Sequence, residues 1–160
     1  EYLGCNDVQN IDLMHHQIIL IIHLLAASIW VGGHLFLILR ILPATLQQKD
    51  ISILSDFRLK FGKIGMPSFF ILVVTGILLA YDYNVPISDW FSFSNPIEKI
   101  ISIKLLLLFT SLSLAVHAQK VVFPKLTFNR MLPAIVEIII VTLIAVSMLI
   151  LGSLVKVGGL

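Results

Sequence analysis

Four long apolar stretches, each of roughly 20 residues or more and each bounded by prolines, glycines or charges, leave this 160-residue chain few ways to fold. The first is predicted to run from about Leu13 to Ile41 and to stop at Pro43, a residue that cannot continue a helix. The second runs from about Ile64 to Tyr83, entered through Gly62 and Gly65 and left at Asp82, Asn84 and Pro86. The third begins near Ile97, where Pro96 suits a first helical turn, and ends at Phe123 before Pro124. The fourth runs from about Leu132 to Val155, ending towards the Gly158-Gly159 pair. These unbroken runs exclude the alternating strands of a membrane barrel. With 58% hydrophobic and 12% charged residues and a mean hydropathy of +1.01, the natural solvent of the chain is lipid. The expectation is an all-α integral membrane four-helix bundle, a single domain over residues 1–160 with no separate soluble part.

Charge orients the bundle. Arg40, Lys49, Arg58, Lys60 and Lys63 flank the first connection and Lys120, Lys125 and Arg130 the third. The opposite side carries Lys99 and Lys156, with Lys104 a turn inside, together with Glu1, Asp7, Asp12, Asp82, Asp89 and Glu98. The positive-inside rule then places both termini on the outer side, periplasmic in the inner membrane of a bacterium. The net charge of +2 carries no nucleic-acid signal, because the basic residues flank membrane spans and no aromatic-interleaved basic strip exists. Cys5 is the single cysteine, so neither an internal disulfide nor a CxxC or CxxCH motif is encoded, and any haem is held without thioether bonds.

The histidines carry the chemistry. Ionisable side chains at membrane depth are costly and mark cofactor, ion or proton sites. At 100° per residue, His16, His23, Trp30 and His34 fall on one stripe of the first span, with Gly32 and Gly33 beside it to admit a neighbouring helix or a flat cofactor. His23 and His34 are separated by about 16 Å along the axis and so belong to different levels. Counting from the span ends groups His34, His117 and Glu137 in an inner layer, and His23, Lys104 and Met148 in an outer one. Two imidazoles at one depth suit the axial positions of a b-type haem, with Arg40, Arg58 or Lys63 near the propionates and Gly33 beside the ring. The polar stripe Thr110, Ser113 and His117 adds to that reading. They suit copper equally, with Met148 or Met66 as a soft ligand, although the scattered methionines form no MxxM or MxM relay. They also suit plain interhelical hydrogen bonding. His15 and His16 sit near the outer interface; Trp30 reads as packing, and Trp90 and Tyr2 as interfacial. Lys104 can snorkel, whereas Glu137 needs a partner such as Arg40 or a protonated imidazole.

The run from His23 through Trp30 to Gly32 and Gly33, then Phe36 and Arg40, Arg58 with Phe61-Gly62-Lys63, Thr75-Gly76, Ile103-Lys104 and His117, resembles the copper-resistance D (CopD) family. It is also similar to the membrane protoporphyrinogen oxidases of the HemJ type. The resemblance implies a haem-containing four-helix protein in which His23 and Lys104 are functionally required. His34 stands where the relatives tend to carry an apolar residue and goes beyond it. The expectation is a membrane protein that binds haem b through His34 and His117 and acts in electron transfer or oxidoreduction. His23, Lys104 and Glu137 are its candidate catalytic residues. A copper-handling protein using His15, His16, His23 and Met148, or a structural subunit of a respiratory complex, are the alternatives. A quinone, a porphyrin or a periplasmic redox or copper carrier are the expected partners besides the bilayer, in a homo-oligomer or larger complex.

Overall fold

The structure, a computed structural model, describes residues 2–155; Glu1, Lys156 and the Gly158-Gly159 pair lie outside it, as do the side chains of Tyr2, Cys5, Asp7 and Asp12. Five α-helices follow in order: α1 (Tyr2–Phe36), α2 (Leu42–Gln48), α3 (Ile51–Asp82), α4 (Pro96–His117) and α5 (Leu132–Val155). Because α2 prolongs α1, they make four rods long and apolar enough to cross a membrane: Leu13–Gln48, Ile51–Asp82, Pro96–Lys125 and Leu132–Leu154. No strand occurs among the described residues.

Pro43 does not end the first rod. A proline in a continuous α-helix would leave one carbonyl without its donor and press its ring on the residue four before it. Here the chain widens into a π-turn over Leu37–Ile41, closed by Leu42 N–H donating to Leu37 O. Pro43 then falls in the first turn of α2, where its missing N–H costs nothing. The same device recurs after α4: a π-turn over Ala118–Val122, closed by Phe123 N–H on Ala118 O, precedes Pro124.

The second rod starts thirteen residues earlier than its most apolar stretch suggests, at Ile51. Ile51, Leu54, Phe57 and Phe61 recur at helical spacing and turn inward, while Asp56, Lys60 and Lys63 are exposed, so a segment rich in charge is an amphipathic helix and not a loop. The connection shrinks to Lys49, in the left-handed region at φ 53°, and Asp50. Asp50 caps α3 by accepting from Ser52 N–H at 2.9 Å.

α1 packs chiefly on α3, and α5 bridges α1 and α4. Lipid provides no hydrophobic drive between helices, so close packing of small residues gathers them. Ala26, Ala27, Gly65, Ser68, Thr75 and Ala80 are all buried. Large apolar side chains point outward instead, Leu39 and Phe70 being 72% and 68% exposed. A core of Leu42, Leu54, Met131 and Ile138 closes the Lys49 end. At the other end Asn95 caps α4, accepting from Glu98 N–H at 2.8 Å. The Glu98 carboxylate in turn accepts from Asn95 Nδ2, Ser94 N–H and the Ser92 hydroxyl, fixing the connection from α3.

The two glycines of α1 have opposite surroundings. A Cβ on Gly33 would lie 2.1 Å from the Phe61 ring, whereas one on Gly32 meets nothing within 4 Å. Gly33→Ala is therefore expected to destabilise the folded protein by about 1–3 kcal/mol, Gly32→Ala to be near neutral, and Phe61→Leu to recover much of the Gly33→Ala loss, all read from thermal unfolding in detergent. A second expectation concerns Asp50, whose carboxyl is held below its usual pKa first by the Ser52 N–H and then by the Ser52 hydroxyl. A lowered folded-state pKa contributes stability above the unfolded value and loses it as pH falls through the folded one. Asp50→Ala should lower the melting temperature near neutral pH, with the gap to wild type closing in acid.

Candidate functional site

The histidine stripe of α1 faces α3. His16 Nδ1–H donates to Asp82 Oδ2 at 2.9 Å. His23 Nδ1 lies 2.8 Å from Thr75 Oγ1, whose own hydroxyl donates to Ile71 O at 2.6 Å, so the imidazole is the donor. Trp30 packs on Phe69 with ring centroids 4.8 Å apart, and His34 meets Phe61 edge to face at 6.0 Å. His34 Nδ1–H donates to Trp30 O at 2.8 Å, a carbonyl that can only accept. The neutral ring is thereby fixed in the tautomer that leaves Nε2 as a lone-pair donor, the form a ligating or proton-accepting histidine needs.

His34 opens onto a cavity of about 180 Å³. Its wall includes Trp30 and His34 of α1, Phe57, Arg58 and Phe61 of α3, Gln119 and Phe123 beyond α4, and Glu137 of α5, among aliphatic side chains such as Leu54, Leu114, Ile138 and Val141. Phe57 and Phe61 stack at 5.4 Å with planes 8° apart. Arg58 reaches across to the far helix: Nη1 donates to Gln119 Oε1 at 2.7 Å, and the guanidinium lies 4.4 Å over the Phe123 ring. Arg58 Nε is buried with no partner. Glu137 is divided in the same way. Its Oε1 accepts from His117 Nδ1–H, while Oε2 is buried with no partner. Arg58 and Glu137 line one cavity without forming an ion pair among the described residues.

Glu137 thus holds His117 and shares the cavity wall with His34, but the histidines do not meet each other across the cavity. His117 is absent from the wall; its side chain is 54% exposed on the far side of Glu137, itself only 12% exposed. Thr110 and Ser113 share that outward face, and the residues α4 turns inward are Ser111, Leu114 and Ala115. Arg40 is exposed and off the wall, whereas Arg58 is on it. The hollow beside Gly33 is filled by Phe61 and is no cradle for a flat ring. At the other level, His23 Cε1 sits over Gly76, and Lys104 Nζ lies 3.2 Å from where a Cβ on Gly152 would stand. Met148 is half-buried on α5, and His16 is engaged by Asp82. No three His, Cys, Asp or Glu side chains converge as a metal site among the described residues.

Phe57, Gln119 and Phe123 were not among the residues the sequence singled out for chemistry. Phe57 lies in a segment that reads as a charged loop until its helical period is followed, and Gln119 follows Leu114, Ala115 and Ala118 on the cavity face at ordinary helical spacing, in a stretch where His117 was the residue singled out. No family model, curated protein or solved structure matches the chain.

Proposed function

We propose that this chain is a multi-pass membrane protein of the CopD-like superfamily that acts in electron transfer or oxidoreduction and holds a redox-active conjugated ring in the cavity beside His34. One observation carries the reading: at membrane depth, His34 with its free Nε2 shares one cavity wall with Arg58 and Glu137, whose Nε and Oε2 are buried without partners, among four aromatic side chains and a larger number of aliphatic ones. A buried polar group left unpaired costs about 1–3 kcal/mol, and more when charged. Such groups persist inside a membrane where a ligand or proton uses them. The family resemblance supports the reaction class, and the cavity beside His34 supports the location. By the positive-inside rule the Lys49 end, where Arg58, Lys60 and Lys125 cluster, faces the cytoplasm of a bacterial cell, and both termini are periplasmic.

A b-haem can be weighed against the same atoms. His34 offers Nε2 and Arg58 a donor suited to a propionate, but His117 is turned to the far side of Glu137 and Phe61 fills the hollow at Gly33. As the side chains stand, they do not fit a haem gripped between His34 and His117. His117 instead suits proton exchange, because Glu137 holds it with one carboxylate oxygen and is itself a residue of the cavity wall. Copper is disfavoured in the cavity by the Arg58 charge. His23 and Lys104 form a separate functional pair nearer the termini.

The test is a reduced-minus-oxidised spectrum from the ultraviolet to the visible on detergent-purified protein, with solvent extraction and metal analysis of the same sample. A reducible ring compound should co-purify, and His34→Ala and Glu137→Gln should each lower its occupancy several-fold while His15→Ala leaves it unchanged. Copper as the sole bound species, or no reducible compound bound even when quinone and porphyrin are offered back, would overturn the reading.

A further inference from the structure

The four rods do not close into a ring. α3 packs on α1, α1 on α5 and α5 on α4, so they form an arc whose two ends, α3 and α4, share no packed seam of their own among the described residues. The cavity lies in that gap, with Gly62 and Met66 on its α3 side and Leu114, Ala115 and Ala118 on the side of the third rod. Towards the Lys49 end the gap is bridged, because Arg58 crosses it to Gln119 and to the face of Phe123. Leu54 and Ile138 belong both to the cavity wall and to the packed core at that end, so they floor the cavity there.

Two observations mark an opening at the remaining side. Met66 lines the cavity and is nevertheless 59% exposed. A Cβ on Gly62 would meet nothing within 4 Å. The two residues are one helical turn apart, about 6 Å along α3. They flank Ile64, where the most apolar stretch of that rod begins, so the slot opens at the edge of the hydrocarbon and runs inward from it.

We infer that this slot is a lateral mouth, and that the acyl chain of an anionic bilayer phospholipid enters it. At that level the rods are surrounded by acyl chains, and the lips are small or apolar. Charge selects the headgroup. The stretches that flank the mouth, Ile51–Lys63 and Ala118–Arg130, carry Arg58, Lys60, Lys63, Lys120, Lys125 and Arg130 against the single acid Asp56. The four lysines among them are exposed at the end from which the chain descends. A basic rim between membrane helices attracts anionic headgroups. The mouth stands whatever the cavity holds, and it gives a lipid-soluble ligand a path to His34 that does not pass through water.

The experiment uses the full chain with Trp90→Phe, which leaves Trp30 on the cavity wall as the sole tryptophan. It is reconstituted into phosphatidylcholine vesicles holding a minor share of lipid brominated part-way along one acyl chain, either phosphatidylglycerol or phosphatidylcholine. Bromine quenches at contact, so loss of Trp30 emission reports a chain inside the mouth. Brominated phosphatidylglycerol should quench about threefold more than brominated phosphatidylcholine at the same share. Gly62→Leu fills the open space at the lip and should remove most of the quenching by both lipids while the melting temperature holds. Lys63→Gln combined with Lys120→Gln should keep the quenching and erase the headgroup preference. No quenching by either lipid would mean that another helix or a second copy covers the gap, and would overturn the inference. Quenching untouched by Gly62→Leu would overturn it by placing the bromine on lipid outside the mouth, and equal quenching by the two headgroups would remove the anionic lipid. Emission is read with no ring compound added, so this inference and the redox reading can fail separately.

Discussion

Hydrocarbon offers no hydrogen-bond partner, so a chain that crosses it must satisfy every backbone group from within. That requirement shapes this molecule more than any single contact. It draws the four rods out to full length, and it sends the hydroxyls of Ser28, Thr45, Ser68, Thr110 and Thr142 back onto the carbonyl four residues before each of them. Even the imidazole of His34 satisfies Nδ1–H on the carbonyl of Trp30, in its own helix. Against this, two buried side-chain atoms among the described residues have no partner, Arg58 Nε and Glu137 Oε2, and both belong to residues that line one cavity.

Each of those two side chains is anchored at one end and open at the other. Arg58 is held by Gln119 and by the face of Phe123, and Glu137 by His117. Anchoring limits the motion of a long side chain, so less conformational freedom is lost when a ligand enters beside it. The two charges come from α3 and α5, while their anchors both come from the α4 rod. The cavity therefore depends on three rods holding their positions, with the His34 face of α1 as the fourth wall.

Much of this could be read from the residues. The four apolar runs, the stripe on α1 and the common depth of His34 and Glu137 follow from hydropathy and from the angle per residue, quantities local to one helix. What could not be read is rotation. Depth counting places His117 level with Glu137, where it lies, but says nothing about which way the ring turns, and α4 turns Thr110, Ser113 and His117 outward together. Gly33 carried the same ambiguity: a missing side chain invites something close, and only the packing of α3 says that the neighbour is Phe61. The stretch from Ile51 to Lys63 was obscured by its charges, which mask a helical period in any reading that averages hydropathy.

The paired π-turns bear on phase. Each holds five residues to one closing bond where an α-turn holds four, so it acts as a one-residue insertion absorbed without a loop. Side chains beyond such a turn are rotated by about 100° from the positions that an unbroken α-helix would give them. In the first rod this divides the surface into two independent faces, one ending at His34 and one beginning near Leu42. In the third it shifts the residues beyond Val122, Phe123 among them, relative to the helix that ends at His117. The two turns, each just before a proline at the same end of the bundle, thereby act as phase shifters, and Phe123 comes to the cavity wall from beyond one of them.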